Sequence, residues 1–274
     1  MKNRIIVAVI CVPILFIVMF FLPSYILAGV VSLICAVSAY ELMFSIGTKR
    51  NDRITVYSVV AAALIPFGVY FNITEYAVIT ILLIMMFSFF IEAIRVFKRI
   101  KPLTLEHLLI GLFGGFIIPL MLSTLVGLRN MQEGRLIVLI PVISAFITDG
   151  GAYFSGVFFG KHKAFPRVSP NKTIEGCIGG LVAGMLAMAA YGVILNYSTP
   201  LRINFPSLIL CGLIGAVFTE LGDLAFSLIK REYEIKDYGR ILPGHGGLLD
   251  RFDSMVFTAP AIYLIVTALP AITV

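Results

Sequence analysis

The chain has 274 residues, of which 59% are hydrophobic and 13% are charged, and its formal net charge is +6. A soluble domain carries about 25% charged residues, so this composition excludes an ordinary soluble enzyme, and it is too apolar for a disordered chain or a coiled coil. The four cysteines, Cys11, Cys35, Cys177 and Cys211, lie inside apolar runs without a CxxC pair, which excludes a disulfide scaffold and a Cys/His zinc site. A multi-pass membrane protein remains.

Apolar runs follow one another along the whole chain. A bilayer core about 30 Å thick requires about 20 apolar residues per helix, and nine runs approach that length. They are Ile5–Leu22, Tyr25–Phe44, Ile54–Phe71, Tyr76–Ile94, Leu108–Leu128, Leu136–Gly160, Thr173–Leu195, Ser207–Ile229 and Phe252–Val274. We therefore predict an all-α, polytopic integral membrane protein with about nine transmembrane helices, forming a single transmembrane domain over residues 1–274.

Lys and Arg are distributed unevenly among the segments that connect these runs. Cytoplasmic loops of membrane proteins collect Lys and Arg. If the N-terminus is inside and the spans alternate, 18 of the 21 basic residues face the cytoplasm, and only Arg129, Arg135 and Arg202 lie outside. This split predicts an N-in/C-out protein of the cell (inner/plasma) membrane. The same bias accounts for the positive net charge without a nucleic acid as partner.

The two halves of the chain differ in where their acids lie. In residues 1–135 the acids lie near predicted helix ends or in loops, where solvation at the membrane surface accounts for them; they are Glu41, Asp52, Glu75, Glu92, Glu106 and Glu133. In residues 136–274 six of the nine acids lie within or at the edges of apolar runs; they are Asp149, Glu175, Glu220, Asp223, Asp250 and Asp253. We predict that the first part is mainly scaffold and the second is the catalytic half.

Acids inside apolar runs are costly, since inserting an ionised carboxylate into hydrocarbon costs at least about 3 kcal/mol. Two explanations fit: each acid pairs with a Lys or Arg as structural support, or the acids line a water-filled cavity for cations or a polyanion. Their spacing favours a shared cavity, because Glu220, Asp223 and Lys230 lie on one helix face. Asp149 lies deeper in its span, so a shared cavity predicts a helix break at Gly150-Gly151.

Two loops predicted to face the cytoplasm, residues 161–172 and 230–251, are rich in Lys and Arg, which suit phosphate groups. The stretch Pro243–Gly247 is glycine-rich and directly precedes a helix, where free backbone N–H groups suit an anion. A plain helix–helix connection explains this stretch equally well, and His245 within it is open to roles as an acid, a phosphate donor or an ordinary loop histidine. Elsewhere, Gly176, Gly180 and Gly184 have GxxxG spacing, which predicts close helix packing.

Residues 227–253 resemble the signature of the phosphatidate cytidylyltransferases, or CDP-diacylglycerol synthases. The pattern S-x-x-K-R-x4-K-D-x-G-x2-L-P-x-H-G-G-x-x-D-R-x-D is matched at every fixed position. A second block, from Asp149 to Gly176, is similar to the family's upstream block. Together with their connection the two blocks cover about residues 144–254, and the N-terminal third matches only in being hydrophobic.

The resemblance implies a membrane transferase of phospholipid biosynthesis that joins CTP and phosphatidate to give CDP-diacylglycerol and diphosphate, with Mg²⁺ as cofactor and membrane lipid around it. The implied metal-binding acids are Asp223 and Asp250, with Asp149 and Asp253 close by in the motifs. Contacts to nucleotide and diphosphate are implied for loop residues and for the rest of the signature; these are Lys161, Lys172, Lys230, Arg231, Lys236, His245, Gly246, Gly247 and Arg251. The residues expected to act in catalysis are Asp223, Asp250, Asp253, Lys230 and His245.

Two other functions stay open. A CTP-dependent polyprenol or phytol kinase would use the same nucleotide in the same setting but release CDP. A cation transporter would use the buried acids as an ion path, although the charges clustered between Lys230 and Asp253 would then have no purpose. The sequence does not distinguish a monomer from a homodimer.

Overall fold

The computed structural model describes residues 13–46, 52–97, 103–241 and 246–273. These residues form α-helices, with two short antiparallel sheets of two strands each. The helices are α1 Ser24–Ser45, α2 Asp52–Tyr70, α3 Thr74–Val96, α4 Leu105–Leu112, α5 Ile118–Asn130, α6 Gly134–Ile137, α7 Leu139–Phe159, α8 Ile174–Ser198, α9 Phe205–Glu232 and α10 Leu249–Ala268. The strands are β1 Lys163–Phe165, β2 Ser169–Thr173, β3 Arg202–Ile203 and β4 Ile272–Thr273. Residues 13–20 are also helical, and a π-helical turn, Phe113–Ile117, joins α4 to α5.

Seven helical segments of the described chain are long and apolar enough to cross a membrane. They are Ser24–Ser45, Arg53–Tyr70, Thr74–Val96, Leu105–Asn130, Gly134–Phe159, Ile174–Ser198 and Phe205–Glu232. These correspond to the second to eighth predicted spans, so the multi-pass helical architecture is confirmed. The first predicted span lies partly outside the described residues. The ninth corresponds to α10, a 20-residue helix whose first two turns carry three charged residues. The number nine and the N-in/C-out orientation stay predictions.

The helices differ in how much of their apolar surface other helices cover. In α1, 56% of the residues of the most apolar stretch are buried, whereas in α3 only 17% are buried. On α3 the large side chains Leu83, Phe87 and Ile94 are 64%, 70% and 75% exposed. Leaving apolar area in water costs about 25 cal/mol per Å², so a helix with this surface requires an apolar environment such as lipid.

Residues of the chain group into two compact units, 1–127 with 235–251, and 128–234 with 252–274. The boundary near residue 128 lies close to the predicted division at residue 135. The sequence did not predict the second discontinuity, by which residues 235–251, the larger part of the signature, belong with the N-terminal helices.

In the first unit a buried cluster that includes Met43, Ile54, Met85, Phe89 and Phe116 packs α1–α4 and the π-helical turn together. The π-helical turn lies close to α2, where a Cβ on Gly115 would lie 2.6 Å from the Cα of Ser58. The Ser58 hydroxyl donates to the carbonyl of Gly111 at 3.1 Å, so the unit has a polar tie within its apolar core.

In the second unit α7, α8 and α9 meet at glycines. A Cβ on Gly180 would lie 3.1 Å from the Cβ of Ala152, and one on Gly184 would lie 3.0 Å from the Cβ of Ala216. The predicted packing role of the GxxxG glycines is therefore confirmed. The predicted helix break at Gly150-Gly151 is wrong, because α7 runs without interruption from Leu139 to Phe159. Gly151 instead allows the close approach of α8, since a Cβ there would collide with Ala183.

The second sheet ties the end of α10 to the segment before α9. Arg202 pairs with Thr273 and Ile203 with Ile272. The hydroxyl of Ser207 donates to the carbonyl of Leu269 at 2.6 Å, which extends this connection into the first turn of α9.

Candidate active site

The predicted basic loop 161–172 folds as a β-hairpin. Strands β1 and β2 pair antiparallel, with Lys163 opposite Thr173 and Phe165 opposite Ser169. Thr173 ends the hairpin and caps α8, because its hydroxyl accepts the N–H of Gly176 at 3.1 Å. The hairpin thus fixes the residue before this cap, Lys172, relative to the start of a transmembrane helix.

Lys172 binds two acids of α9. Its Nζ lies 2.5 Å from Oε2 of Glu220 and 3.0 Å from Oδ2 of Asp223, and its side chain is 13% exposed. Burial alone lowers the pKa of Lys172, but the two carboxylates outweigh it and hold the pKa above its usual value of 10.5. Lys172 is therefore a stably charged cation within the unit.

Asp149 of α7 lies within electrostatic range of Glu220 and Asp223 of α9 and of Asp253 of α10. We name these four acids the carboxylate cluster. Lys172 lies among them, and Nζ of Lys230 lies 3.9 Å from Oδ2 of Asp253. The four carboxylates and the two ammonium groups together have a formal charge of −2. The structure thus brings together three predicted site acids, Glu220 and two predicted lysines, which lie on three helices and a hairpin.

Both alternatives left by the sequence are represented in this cluster. Glu220 and Asp223 pair with a lysine, as structural support requires. The negative charge is nevertheless in excess, and Oε1 of Glu220 is buried without a hydrogen-bond partner among the described residues. Asp149, in the middle of α7, is an exposed residue, so one acid of the cluster is accessible from outside the helices.

Glu175 lies apart from the carboxylate cluster, although the sequence placed it with the other acids. Its Oε2 accepts the backbone N–H groups of Lys161 and His162 at 3.1 Å and 3.2 Å. Its Oε1 lies 2.6 Å from Nδ1 of His162. Glu175 therefore closes the base of the hairpin, which is a structural role.

Asp250 organises the segment of the first unit that leads into α10. Its Oδ2 accepts the backbone N–H groups of Tyr238 and Gly247, both at 2.9 Å. Gly246 has φ +83°, a conformation that favours glycine, and a Cβ there would lie 3.0 Å from Oδ2 of Asp250. The glycine pair of the signature therefore allows the chain to turn closely around this carboxylate.

The remaining predicted binding residues lie on exposed parts of the chain or outside the described residues. Lys161, Arg231, Lys236 and Arg251 are exposed, and Nε of Arg231 donates to the carbonyl of Val168 at 3.3 Å. His245 falls within residues 242–245, which the structure does not describe. The N–H of Gly247 is directed to Asp250, so it is not available to an anion in this arrangement. The roles of all these residues stay predictions.

Two acids of the first half were misinterpreted from the sequence. Glu41 and Glu92 were predicted to be solvated at the membrane surface, but they are 3% and 6% exposed. Glu92 lies 3.3 Å from Arg53 and 3.9 Å from Arg95, and the i,i+3 spacing to Arg95 was a signal available in the sequence. Glu41 accepts the N–H of Leu249, 208 positions later, and no local pattern indicates such a contact.

The donor set fits Mg²⁺ better than a metal that needs a complete protein cage. Among the residues described, no group of three or more His, Cys, Asp or Glu side chains is arranged as a ready metal site. Mg²⁺ uses one or two carboxylates and completes its shell with water and substrate phosphates. The carboxylate cluster offers oxygen ligands with excess negative charge, which is the chemistry that this ion requires.

The sequence matches the cytidylyltransferase family over residues 2–269. The chain belongs to the cytidylyltransferase family. This family membership covers both units and every residue of the carboxylate cluster, so it confirms the resemblance that the signature indicated.

Curated relatives of this family carry the name phosphatidate cytidylyltransferase. The chain is similar to that of Bacillus subtilis, with 36% identity over 192 residues, which are 70% of this chain and 67% of the relative. It is similar to that of Staphylococcus haemolyticus, with 42% identity over 134 residues, 49% of this chain and 50% of the relative. For Staphylococcus aureus the identity is 44% over 137 residues, 50% of this chain and 51% of the relative. The matched region thus spans about half the length of these staphylococcal relatives.

Proposed function

We propose that the protein is a phosphatidate cytidylyltransferase, which transfers the cytidylyl group of CTP to phosphatidate and releases diphosphate. The observation that carries this proposal is the juxtaposition of a basic hairpin with membrane-embedded acids, made by Lys172 with Glu220 and Asp223, in a chain of the cytidylyltransferase family. A lipid substrate and a soluble, polyanionic nucleotide meet most readily where such charges border a bilayer.

The main requirement of the proposed reaction is to neutralise the negative charge of its two substrates. A phosphate oxygen of phosphatidate attacks the α-phosphorus of CTP, the bond from that phosphorus to the bridging oxygen breaks, and diphosphate leaves with that oxygen. A phosphate monoester is largely ionised near neutral pH, because its second pKa is about 6, so no strong general base is required. Two polyanions must nevertheless be held together, and cationic side chains serve that purpose.

The chain supplies cations from two segments for this task. Lys172 and Lys230 lie beside the carboxylate cluster, where they are positioned to hold phosphate oxygens near its acids. The exposed Lys161, Arg231 and Lys236 are suited to the outer phosphates of the nucleotide, since Arg and Lys bind phosphate by charge-assisted hydrogen bonds. His245 and Arg251 are assigned to the same group by their match to the signature.

The proposed cofactor is Mg²⁺, with Asp149, Asp223 and Asp250 as its candidate ligands and Asp253 beside them in the motifs. The first two are supported by the excess negative charge of the carboxylate cluster, and Asp250 by its match to the family's metal-binding acids. When bound, the ion would neutralise charge on the phosphates of the nucleotide. The protein's own part is to hold carboxylates where water and lipid phosphate have access.

We also propose nine transmembrane helices, an N-in/C-out orientation in the cell membrane and a site that faces the cytoplasm, where CTP is found. Single cysteines test the orientation. A cysteine that replaces Arg167 in the hairpin is expected to react with an impermeant maleimide in inverted vesicles only, and one that replaces Arg202 in right-side-out vesicles only. The reverse pattern would place the hairpin outside. The proposal does not depend on whether the protein is a homodimer.

The activity is tested by incubating the purified protein with CTP that is labelled in either the α- or the γ-phosphate. With phosphatidate and Mg²⁺, label from the α-phosphate of CTP is expected in the lipid, and label from the γ-phosphate in diphosphate. Transfer of the γ-label to a lipid would indicate a lipid kinase instead. Cation flux through liposomes without CTP turnover would indicate a transporter. Omission of phosphatidate is the matched control, and the same assay mixture without the protein gives the background.

A further inference from the structure

Glu41 is a buried acid of the first unit that the proposed reaction does not use. It lies in the last part of α1, is 3% exposed, and accepts the N–H of Leu249 at 2.9 Å through Oε2. Leu249 is the first residue of α10. A carboxylate at this position binds an N–H group that the helix leaves unsatisfied and lies at the positive end of its dipole.

Two glycines of the signature give Glu41 the space that it occupies. A Cβ on Gly239 or on Gly247 would collide with the Glu41 carboxylate. Neither glycine has a positive φ, in contrast to Gly246. Their lack of a side chain is therefore explained by the close approach of a carboxylate, and not by a backbone conformation that only glycine adopts easily.

The same segment is held from a second direction by Asp250. That carboxylate accepts the N–H groups of Tyr238 and Gly247, while Glu41 accepts the N–H of Leu249, the neighbour of Asp250. Tyr238, Gly247 and Leu249 are thus held by two buried carboxylates, one from the segment itself and one from α1. A packing role alone would be served by an apolar residue, without the cost of burying a carboxylate.

We infer that Glu41 is a positioning residue that holds the segment formed by residues 238–239 and 246–250, with the start of α10, and so fixes the carboxylate of Asp250. The importance of this for turnover rests on the proposed function, because it assumes that Asp250 acts in the reaction. The positioning itself rests only on the contacts of Glu41 within the first unit.

The first test measures the segment directly, without substrate. Lys236 and Arg240 are exposed tryptic sites within or beside the segment, and exposed Arg167 in the hairpin serves as an internal reference. In detergent-purified full-length protein, Glu41→Ala is expected to raise the rate of cleavage at Lys236 and Arg240 relative to Arg167. Glu41→Gln is expected to keep the wild-type ratio, because its amide oxygen still accepts the N–H of Leu249. Glu92→Ala, which removes another buried acid of the unit, is the matched control and is expected to keep it too.

The second test measures turnover in the same variants. Glu41→Ala is expected to lower kcat about tenfold to a hundredfold, as is usual when the support of a reacting group is lost, and Glu41→Gln to restore most of it. An unchanged cleavage ratio in Glu41→Ala overturns the inference, as does equal loss of kcat in the Gln and Ala variants. If wild-type protein forms no CDP-diacylglycerol, the proposed function fails, and the cleavage ratio still decides the role of Glu41.

A second pair of variants decides the matter if Glu41→Ala does not accumulate. Gly239→Ala places a methyl group against the carboxylate and is expected to raise the cleavage ratio. The double variant Gly239→Ala with Glu41→Asp, in which the acid is one methylene shorter, is expected to lower the ratio again. Equal ratios in the single and double variants would show that the contact between residues 41 and 239 does not hold the segment.

Discussion

Nζ of Lys172, at the end of a hairpin, lies 3.0 Å from Oδ2 of Asp223, two turns from the end of α9. The contact joins two segments that are 51 positions apart. It also places a charged lysine beside Asp223, which the family resemblance implies as a metal-binding acid. The variants below separate what this and related contacts contribute to stability from what they contribute to turnover.

Lys172→Met is expected to lower both stability and turnover. Removing one partner of a buried ion pair leaves the remaining charge uncompensated, which costs about 3 kcal/mol, and the variant also loses a cation proposed to hold phosphate. The measurements are the unfolding midpoint in detergent and the rate of CDP-diacylglycerol formation. Lys163→Met, in the same hairpin but exposed, is the control and is expected to change little. Equal effects of the two substitutions would contradict a special role for Lys172.

The contribution of Lys172 to stability is expected to depend on alkaline pH. Its pKa in the folded protein is raised by Asp223 and Glu220 in spite of burial, which acts in the other direction. Because the folded state holds the proton more tightly, the stabilisation is complete below the usual lysine pKa of 10.5 and is lost as the pH rises through the raised value. The difference in unfolding midpoint between wild type and Lys172→Met, followed from neutral to strongly alkaline pH, measures this. A difference that grows with pH would have the wrong sign.

Asp250→Asn is expected to leave a folded protein with turnover lowered about a hundredfold, as for the loss of a metal ligand. The fold survives because the amide oxygen still accepts the N–H groups of Tyr238 and Gly247. The measurements are circular dichroism of the purified variant and product formation over a range of Mg²⁺ concentrations. Glu232→Gln, at an exposed and unspecified signature position, is the control. Normal turnover in Asp250→Asn would show that Asp250 is not a ligand.

Glu92→Gln is expected to affect stability more than turnover. Glu92 joins Arg53 to Arg95 within the first unit, and Arg53 is about half exposed, so replacing a charged hydrogen bond by a neutral one costs about 1 kcal/mol. The unfolding midpoint and kcat of the same preparation test this. A complete loss of turnover with an unchanged midpoint would mean that the reacting groups extend to α3.

Gly184→Ala is expected to destabilise the second unit. A Cβ at this position would lie 2.8 Å from the hydroxyl of Thr148 and 3.0 Å from Ala216, and overpacking of this kind costs about 1–3 kcal/mol. Gly29→Ala, in α1, is the control, because no atom lies within 4 Å of its added Cβ, and it is expected to be neutral or slightly stabilising. Unfolding midpoints of the two variants test the contrast, and a stabilised Gly184→Ala would contradict the packing role.

The spans were the most predictable part of the structure, because a bilayer requires long apolar runs wherever a helix crosses it. The run Tyr25–Phe44 differs from α1 by one residue at each end, and Ser207–Ile229 lies wholly within α9. The carboxylate cluster was predictable in part, because an ionised acid inside an apolar run is costly unless other charged groups or water surround it. The hairpin was not predicted, because its charged residues conceal the pairing of two short strands.

Long-range contacts were the least predictable part. The acids at positions 41 and 92 look alike in sequence, each near the end of an apolar run, and both were assigned to the membrane surface. Their partners distinguish them. Glu92 pairs with Arg95 on the next turn of its own helix, whereas Glu41 binds Leu249, which is 208 positions later in the chain. Helix periodicity describes which residues share a face, and it contains no information about which distant segment that face will meet.

The grouping of residues 235–251 with the N-terminal helices restricts how this enzyme family can be recombined. A chimera joined near residue 135 would combine the first helices of one protein with the signature segment of another, and would separate Glu41 from the glycines shaped around it. Exchange of the N-terminal helices together with residues 235–251 keeps those partners on one parental background. The set of residues that should be exchanged together is therefore discontinuous along the chain.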